Sequence, residues 1–272
     1  MNKKSGWQLN DDGPEAYEKY IVPTFSGAWA KDIVKRSELK KSDRILDLAC
    51  GTGIVARTVS EFLGTSKQIT GVDVNEIVLK KAIEIASKKS LSIEYIKTNV
   101  HKLPFSDESY DVVLCQQGLQ YFPDKLLGLN EVNRILTKKG KVVFSVWSTI
   151  DHSPFYKTLY RALDEYIGID AASILSSAFI LDDPENIREM LKKTGFKDIH
   201  IRLAIKQMRY KSLDEFLIGS LAASPFAKEI LALTELKQNE MFLMIKESIS
   251  DYIDDDGLAA PMESYVVSAI KH

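Results

Sequence analysis

The amino-acid sequence predicts an α/β fold built on a mostly parallel, doubly wound sheet. Short apolar runs recur between residues 44 and 147. Most of them lack the alternation of apolar and polar residues that is typical of a strand with one solvent-exposed face. Such runs are typical of strands buried on both faces. Amphipathic helical segments separate the runs, which indicates right-handed βαβ units. A glycine-containing turn joins the first run to the first helical segment, where folds of this class bind ligands.

The first half of the chain contains five of the expected strands. Residues 14–38 have a helical pattern that we expect Pro23 to break or kink. Arg44–Ala49 forms the first strand, and the helix Thr52–Leu63 follows it and stops at Gly64. The remaining elements of this half are strands at 68–73, 91–96, 111–115 and 141–147, and helices at 75–89 and 124–136.

The second half adds strands to the same sheet and inserts helices between them. Asp183 is the expected N-cap of a helix that has Pro184 at its first position and ends at Gly195. The other elements expected here are a helix at 155–167, an apolar stretch at 171–180, a sixth strand at 198–205, helical sequence at 212–250 and a last strand at 263–270.

Composition and charge narrow the range of functions. The formal net charge of −2 provides no general attraction for polyanions, so we expect no nucleic-acid partner. No run of 18 uncharged apolar residues is present, which predicts no membrane span, and the first residues lack an apolar signal core. Cys50 and Cys115 are too few for a disulfide scaffold. These features predict a cytoplasmic protein.

The turn Asp47-Leu-Ala-Cys-Gly-Thr-Gly53 is the strongest local signal. Gly51 and Gly53 let the backbone approach a ligand, and a side chain at either position is expected to project towards that ligand. Asp73 ends the second strand, where a carboxylate can accept hydrogen bonds from both hydroxyls of a ribose. The structural alternative is that Asp47 caps the turn and Asp73 is a solvated strand end. We favour a ligand that contains a ribose.

The glycines alone leave a nicotinamide-dependent oxidoreductase open. Gly51-x-Gly53-x-x-Ala56 also satisfies the dinucleotide fingerprint. Tyr121 and Lys125 have the spacing of a proton-transfer pair in one large class of dehydrogenases. Pro123 lies between them, however, and disrupts the helix that such a pair requires. We therefore interpret the Tyr121–Lys125 spacing as a coincidence.

Several segments resemble, in the correct order, the motifs of class I S-adenosylmethionine-dependent methyltransferases. They are Ile45–Gly53, Gly71–Asn75 and Leu103–Val113, and the most similar group is the ubiquinone/menaquinone-biosynthesis-type small-molecule methyltransferases. Leu129–Phe144 and Ser264–Lys271 resemble later elements of that family. The resemblance implies a Rossmann-like, seven-stranded sheet with helical lid insertions. It implies S-adenosylmethionine as the cofactor and S-adenosylhomocysteine as its product.

The resemblance also implies how the chain is organised. We expect one domain over residues 1–272, with an N-terminal helical cap at 1–40 and a cofactor-binding core at 41–147. The part at 148–272 completes the sheet and carries lid insertions at about 150–182 and 212–255.

Cofactor contacts carry over by position from the family's motifs. The resemblance implies that Asp73 binds the ribose and that Val74 packs on the adenine. It also implies that Gln116 and Gln117 line the sulfonium and substrate side. Asn99 stands where an aspartate often binds the adenine amino group, and an amide oxygen can accept the same bond. The full implied set is Asp47, Ala49, Cys50, Gly51, Thr52, Gly53, Asp73, Val74, Asn99, Val100, His101, Gln116 and Gln117. Ala49 stands where many members have glycine.

The methyl acceptor is inferred from what the sequence lacks and from a group of aromatic residues. Cys115–Gly118 replaces the Asn/Asp-Pro-Pro-Tyr/Phe motif of amino-group methylators, and no set of metal ligands is evident. His152 is a candidate general base. Each aromatic alone could be an ordinary core residue, but together they favour an apolar or aromatic acceptor. The candidate substrate contacts are Tyr20, Trp29, Tyr121, Phe122, Trp147, Phe155 and Tyr156.

These observations predict methyl transfer from S-adenosylmethionine to a small organic acceptor by in-line displacement. Oxygen and carbon acceptors are favoured over nitrogen, and no resident metal is expected. The alternatives are an NAD(P)-dependent oxidoreductase on the same glycine loop, a non-catalytic S-adenosylmethionine-binding module, and a methyltransferase for RNA or protein. The expected partner is the small-molecule acceptor, and a homodimer is a further possible assembly.

Overall fold

A computed structural model describes Leu9 and residues 12–65 and 68–272 of the chain, with the backbone alone at Ser220. Residues 1–8, 10 and 11 of the expected cap lie outside the described residues. The strands are β1 Ile45–Leu48, β2 Ile69–Asp73, β3 Glu94–Lys97, β4 Tyr110–Gln116, β5 Leu136–Trp147, β6 Phe196–Tyr210, β7 Ile253–Asp254 and β8 Gly257–Lys271.

These strands form one mixed sheet, in the order β3-β2-β1-β4-β5-β8-β6. The first five are parallel, and β8 runs antiparallel between β5 and β6. The predicted Rossmann-like, mostly parallel sheet with seven principal strands is confirmed. The two-residue β7, which pairs only with β8, was not predicted.

Helices cover the sheet and extend beyond its carboxyl edge. They are α1 Gly13–Ala16, α2 Gly27–Ser37, α3 Ile54–Leu63, α4 Glu76–Lys88, α5 Lys125–Ile135, α6 Pro154–Tyr166, α7 Ile169–Ser176, α8 Pro184–Lys193, α9 Leu213–Ala222, α10 Ala227–Leu231 and α11 Glu235–Ser248. The Asp183 side chain accepts a hydrogen bond from the Glu185 amide, so the predicted N-cap is confirmed. No helix within the described residues is long and apolar enough to cross a membrane.

Pro23 does not break the N-terminal helical segment, so of the expected break or kink the break is wrong. It lies inside a π-helix, Tyr17–Ser26, that continues directly into α2. The wider π turn accommodates a residue that has no amide hydrogen. The Thr24 hydroxyl lies within hydrogen-bond distance of the carbonyl oxygens of Tyr20 and Ile21, at 2.5 and 3.3 Å, and helps to satisfy them.

The strands near the far edge of the sheet are longer than the sequence suggests. The strand expected at 198–205 extends over Phe196–Tyr210, and the one expected at 263–270 extends over Gly257–Lys271. The two pair as far as Tyr210 and Leu258, beyond the parallel part of the sheet. Mutual pairing therefore extends both strands into sequence whose side-chain pattern gave no strand signal.

Two apolar clusters flank the sheet. Neighbouring residues of β1 belong to opposite clusters, with Ile45 in one and Leu46 in the other. The first cluster also contains Trp29 of α2 and Phe155 of α6, whereas the second contains Ile187 of α8. A strand buried on both faces explains the continuous apolar runs of the sequence.

Candidate active site

A cavity of about 440 Å³ lies beyond the carboxyl ends of the parallel strands. Its floor is formed by the turns that follow β1, β2 and β4, and its roof by the π-helix, α2 and α6. Ligands of doubly wound folds bind at this edge, where the strand order changes direction. β1 is that position here, because the chain proceeds from it to β2 and β3 on one side and to β4 and β5 on the other.

The turn after β1 has the backbone conformation that the glycines suggest. Gly51 has φ +55° and lines the cavity, and a Cβ built on it meets no atom within 4 Å among the described parts of the chain. Ala49 also has a positive φ of +56°. That left-handed conformation favours glycine, which accounts physically for the glycine that many members of the resembling family have at this place.

Gly53 serves a different purpose from the one expected. It is absent from the cavity lining, and its Cβ would collide with the Tyr95 hydroxyl rather than project towards a ligand. Gly53 also has φ +84° at the start of α3. The missing side chain therefore leaves room for Tyr95 and lets α3 begin there.

The Asp73 carboxylate is fixed at the end of β2. Its Oδ2 accepts a hydrogen bond from the Gly51 amide and its Oδ1 from the Asn75 amide, both at 2.9 Å. Burial raises the pKa of Asp73, while these backbone bonds act in the opposite direction. The turn after β1 and the end of β2 are thus held together by one side chain that lines the cavity.

Two polar oxygens under the same turn are left without partners. Asp47 accepts one bond, from the Ala56 amide to Oδ2 at 2.9 Å. Its Oδ1 and the Thr52 hydroxyl are buried and have no hydrogen-bond partner among the described residues. Buried polar atoms are nearly always satisfied, so these two indicate a polar ligand or water at the turn.

Burial raises the pKa of Asp47 to about 7. Because an unfolded aspartate titrates near pH 4, the folded chain retains this proton over a range in which the unfolded chain has lost it. We therefore expect the contribution of Asp47 to the free energy of unfolding to be full below about pH 4 and to be lost by about pH 7. Asp47→Asn should flatten that decline in urea denaturation at a series of pH values. An equally steep decline in the variant would show that other groups cause it.

Arg57 was not singled out in the sequence, yet it connects the turn to the roof. Its side chain is 3% exposed, and Nη2 lies 2.8 Å from both carboxylate oxygens of Glu18 on the π-helix. Its Nη1 donates to the carbonyl oxygen of Thr52. A largely buried ion pair, in which one guanidinium nitrogen contacts both carboxylate oxygens, thus joins the glycine-containing turn to the helix that covers the cavity.

Aromatic side chains form the other half of the cavity. Trp29 and Trp147 meet edge to face with their ring centroids 5.7 Å apart. Six of the seven predicted substrate contacts line the cavity, namely Trp29, Tyr121, Phe122, Trp147, Phe155 and Tyr156. Tyr20 does not, because its ring packs closely on Gly219 of α9.

Both glutamines at the end of β4 line the cavity and are held by hydrogen bonds. The Gln116 amide nitrogen lies 3.1 Å from the carbonyl oxygen of Ser26 and 3.0 Å from its hydroxyl. The Gln117 amide nitrogen donates to the hydroxyls of Ser145 and Ser264. β4 is thereby tied both to the roof and to the neighbouring strands.

The structure does not bring two predicted histidines into the cavity. His152 is 58% exposed, and its Nδ1 lies 2.7 Å from Oε2 of Glu263 on β8. The His101 ring nitrogen Nε2 lies 3.0 Å from the carbonyl oxygen of Asp124. Neither lines the cavity, whereas these remaining members of the implied cofactor set do: Asp47, Ala49, Cys50, Gly51, Thr52, Asp73, Val74, Asn99, Val100, Gln116 and Gln117.

Tyr17, Ser26 and Asn75 also line the cavity, although the sequence did not identify them as site residues. Tyr17 was not among the candidate substrate contacts, and position 75 was identified only as the start of a helix. Asn75 caps α4 and also donates from its side chain to the carbonyl oxygen of Leu9. No group of metal-binding side chains occurs in the part of the chain that the structure describes.

Comparisons with known proteins agree with this geometry. Residues 24–204 match the model of the ubiE/COQ5 methyltransferase family. A demethylmenaquinone methyltransferase of Staphylococcus aureus is 29% identical over 206 residues, which cover 68% of this chain and 83% of that protein.

Solved structures share the fold at lower identity. YcgJ of Bacillus subtilis has a TM-score of 0.61 at 14% identity, covering 90% of this chain and 99% of that one. Phosphoethanolamine N-methyltransferase 2 of Haemonchus contortus, in complex with S-adenosyl-L-methionine, has a TM-score of 0.63 at 24% identity. The match covers 96% of this chain and 57% of that one. The chain belongs to the ubiE/COQ5 methyltransferase family and is an S-adenosylmethionine-dependent methyltransferase that acts on a small-molecule acceptor.

Proposed function

We propose that the acceptor is a neutral, apolar or aromatic ring compound that is methylated on oxygen or carbon in preference to nitrogen. One observation carries the proposal. Among the described residues that line the cavity, Asp47 and Asp73 are the two with carboxyl groups. No lysine, arginine or histidine is present among them. A carboxylate or phosphate on the acceptor therefore has no cationic side chain to pair with, and burying an anion without such a partner is strongly unfavourable.

The preference for oxygen or carbon has separate support. β4 runs into Cys115-Gln-Gln-Gly118, whereas amino-group methylators have an Asn/Asp-Pro-Pro-Tyr/Phe motif at this place. The name of the S. aureus relative, demethylmenaquinone methyltransferase, denotes a quinone as methyl acceptor. A ring of that kind suits walls made of Trp29, Trp147 and Phe155.

The cofactor residues fit an adenosyl group on three observations. Gly51 leaves open space where a side chain would stand, Asp73 presents a fixed carboxylate, and Thr52 and Asp47 have unpartnered buried oxygens. We assign the ribose hydroxyls to Asp73 and the adenine to Val74 and Asn99. The polar methionine end is assigned to the turn after β1.

S-adenosylmethionine supplies an activated methyl group, so the protein has mainly to align the acceptor and exclude water. The aromatic roof provides both functions in this proposal, since Phe25, Trp29 and Phe155 are buried and cover the cavity. His152 is exposed and does not line the cavity, so the proposal gives it no role as a base.

Asp73→Ala is expected to weaken S-adenosylhomocysteine binding about tenfold or more, because charged hydrogen bonds to the ribose are lost. Isothermal titration calorimetry measures the affinity. Asp183→Ala is the matched control, since Asp183 also accepts a 2.9 Å bond from the amide two residues ahead but lies outside the cavity. Unchanged affinity in the Asp73 variant would remove the ribose assignment.

Matched acceptors on one ring test the proposed chemistry. 1-Naphthol, 1-naphthylamine, 1-naphthoic acid and 1-naphthyl phosphate are incubated with methyl-labelled S-adenosylmethionine, and products are identified by mass spectrometry. We expect methylation of the naphthol and none of the two anions. Faster methylation of either anion would contradict the proposal, and so would exclusive methylation of the amine.

A further inference from the structure

Two tyrosines that line the cavity come from different parts of its roof. Tyr17 lies on the π-helix and Tyr156 on α6, and both residues line the cavity. Their phenol groups are polar sites among apolar walls. The direction in which each hydroxyl can donate therefore restricts the acceptor chemistry.

The hydrogen bonds around Tyr17 have a defined direction. The Ser26 carbonyl oxygen can only accept, so the Gln116 side chain must present its NH₂ group to it, at 3.1 Å. The same nitrogen lies 3.0 Å from the Ser26 hydroxyl, whose oxygen therefore accepts. That oxygen lies 2.7 Å from the Tyr17 hydroxyl.

The Ser26 hydroxyl has one proton, and Ser26 is buried. Among the described residues, the Tyr17 oxygen is the acceptor within hydrogen-bond distance of that proton. The arrangement that gives the Ser26 hydroxyl both a donor and an acceptor is therefore Gln116 donating to Ser26 and Ser26 donating to Tyr17. The proton of Tyr17 is left over for a molecule in the cavity.

Tyr156 has a hydroxyl that forms no hydrogen bond to the described residues. Its ring is held by Phe155 and Phe179, with centroid distances of 5.1 and 5.5 Å. Burial raises the pKa of Tyr17 to about 12 and also raises that of Tyr156. Both hydroxyls consequently keep their protons near neutral pH and can donate.

We propose that Tyr17 and Tyr156 donate hydrogen bonds to an oxygen substituent of the methyl acceptor. The site then selects rings that have a carbonyl, hydroxyl or ether oxygen over plain hydrocarbon rings of the same size. This inference rests on the proposed function, since it places the acceptor in the aromatic half of the cavity. It goes further by assigning two specificity residues that recognise the oxygen.

The test compares 1-tetralone with tetralin, which has the same two rings without the oxygen. Binding to the protein saturated with S-adenosylhomocysteine is followed by ligand-observed NMR. We expect tetralone to bind about tenfold more tightly than tetralin, because a hydrocarbon offers the two tyrosine hydroxyls no acceptor and displaces the water they would otherwise bond. The preference should fall below about threefold in the double variant Tyr17→Phe/Tyr156→Phe.

Tyr160→Phe is the matched control, because Tyr160 lies on the same helix but not on the cavity, and it should keep the full preference. If Tyr17→Phe fails to fold, Tyr156→Phe alone should still reduce the preference. Equal binding of the two probes by the native protein overturns the inference, and so does an undiminished preference in Tyr156→Phe or no tetralone binding at about 1 mM. Loss of methyl transfer to every acceptor, with the tetralone preference intact, would instead contradict the proposed function.

Discussion

Gly51→Val is expected to lower the affinity for S-adenosylhomocysteine by at least about a hundredfold while the chain still folds. The added side chain starts in space where no atom of the described residues lies within 4 Å, on the turn that lines the cavity. It would therefore occupy ligand volume rather than disturb the core. A β-branched residue at φ +55° also adds backbone strain of about 1–3 kcal/mol.

Gly64→Val separates these two effects. Gly64 has φ +66° and ends α3 at the surface, and a Cβ built on it also meets no atom of the residues that the structure describes within 4 Å. The two variants should lose similar stability in thermal unfolding, but only Gly51→Val should lose binding in calorimetric titration. A Gly51 variant that binds normally would show that the turn does not contact the cofactor.

Arg57→Met should lower the free energy of unfolding by about 3 kcal/mol, because it leaves the Glu18 carboxylate, which is 16% exposed, without its partner. Arg209→Met is the matched control. Arg209 also contacts both carboxylate oxygens of its partner, Asp254, through Nη1 and Nη2, but both side chains are more than 40% exposed. Water screens that pair, so we expect a loss below about 1 kcal/mol.

Urea denaturation measures both variants, and a double variant isolates the role of Arg57 at the turn. Arg57→Met/Glu18→Leu removes both charges, so much of the lost stability should return. Both the single and the double variant lack the hydrogen bond from Arg57 to the Thr52 carbonyl oxygen. We therefore expect both to bind the cofactor more weakly than the native protein does. If Arg57→Met costs no more than Arg209→Met, the buried pair does not stabilise the protein.

The carboxyl-edge turns were predictable because short-range patterns determine them. Apolar runs fix where β1 and β2 end, and the handedness of βαβ units brings those ends to one edge. Asp47, Gly51 and Asp73 therefore met as expected. The same reasoning correctly placed six of the seven predicted aromatic contacts on the cavity, because most of them come shortly after strands that end at this edge.

Contacts between distant segments were not predictable from the same patterns. Ser26 and Gln116 are 90 positions apart, and nothing in their local sequence indicates that they bond. Gly53 was correctly predicted to stand where a side chain would not fit. The group that needs the space is Tyr95 on β3, however, and not a ligand. His152 follows β5 as expected, yet it turns to Glu263 on a strand much later in the chain.

Apolar periodicity also could not distinguish an α-helix from the π-helix at Tyr17–Ser26. Both forms place apolar side chains on one face, and they differ mainly in which carbonyl each amide reaches. The consequence for the site is large, because Tyr17 and Ser26 become hydrogen-bonded neighbours across this segment. Sequence spacing gave the right segment but not its internal geometry.

The position of β8 between β5 and β6 has a consequence for biosynthesis. β6 joins the sheet through β8 alone, although the ribosome makes β6 long before β8. Until then, fifteen residues of β6 are an unpaired edge next to a nascent sheet whose β5 edge is also open. Translation that stops before residue 257 therefore leaves two strand edges with unpaired backbone N–H and C=O groups. We expect such truncated chains to aggregate rather than fold partially.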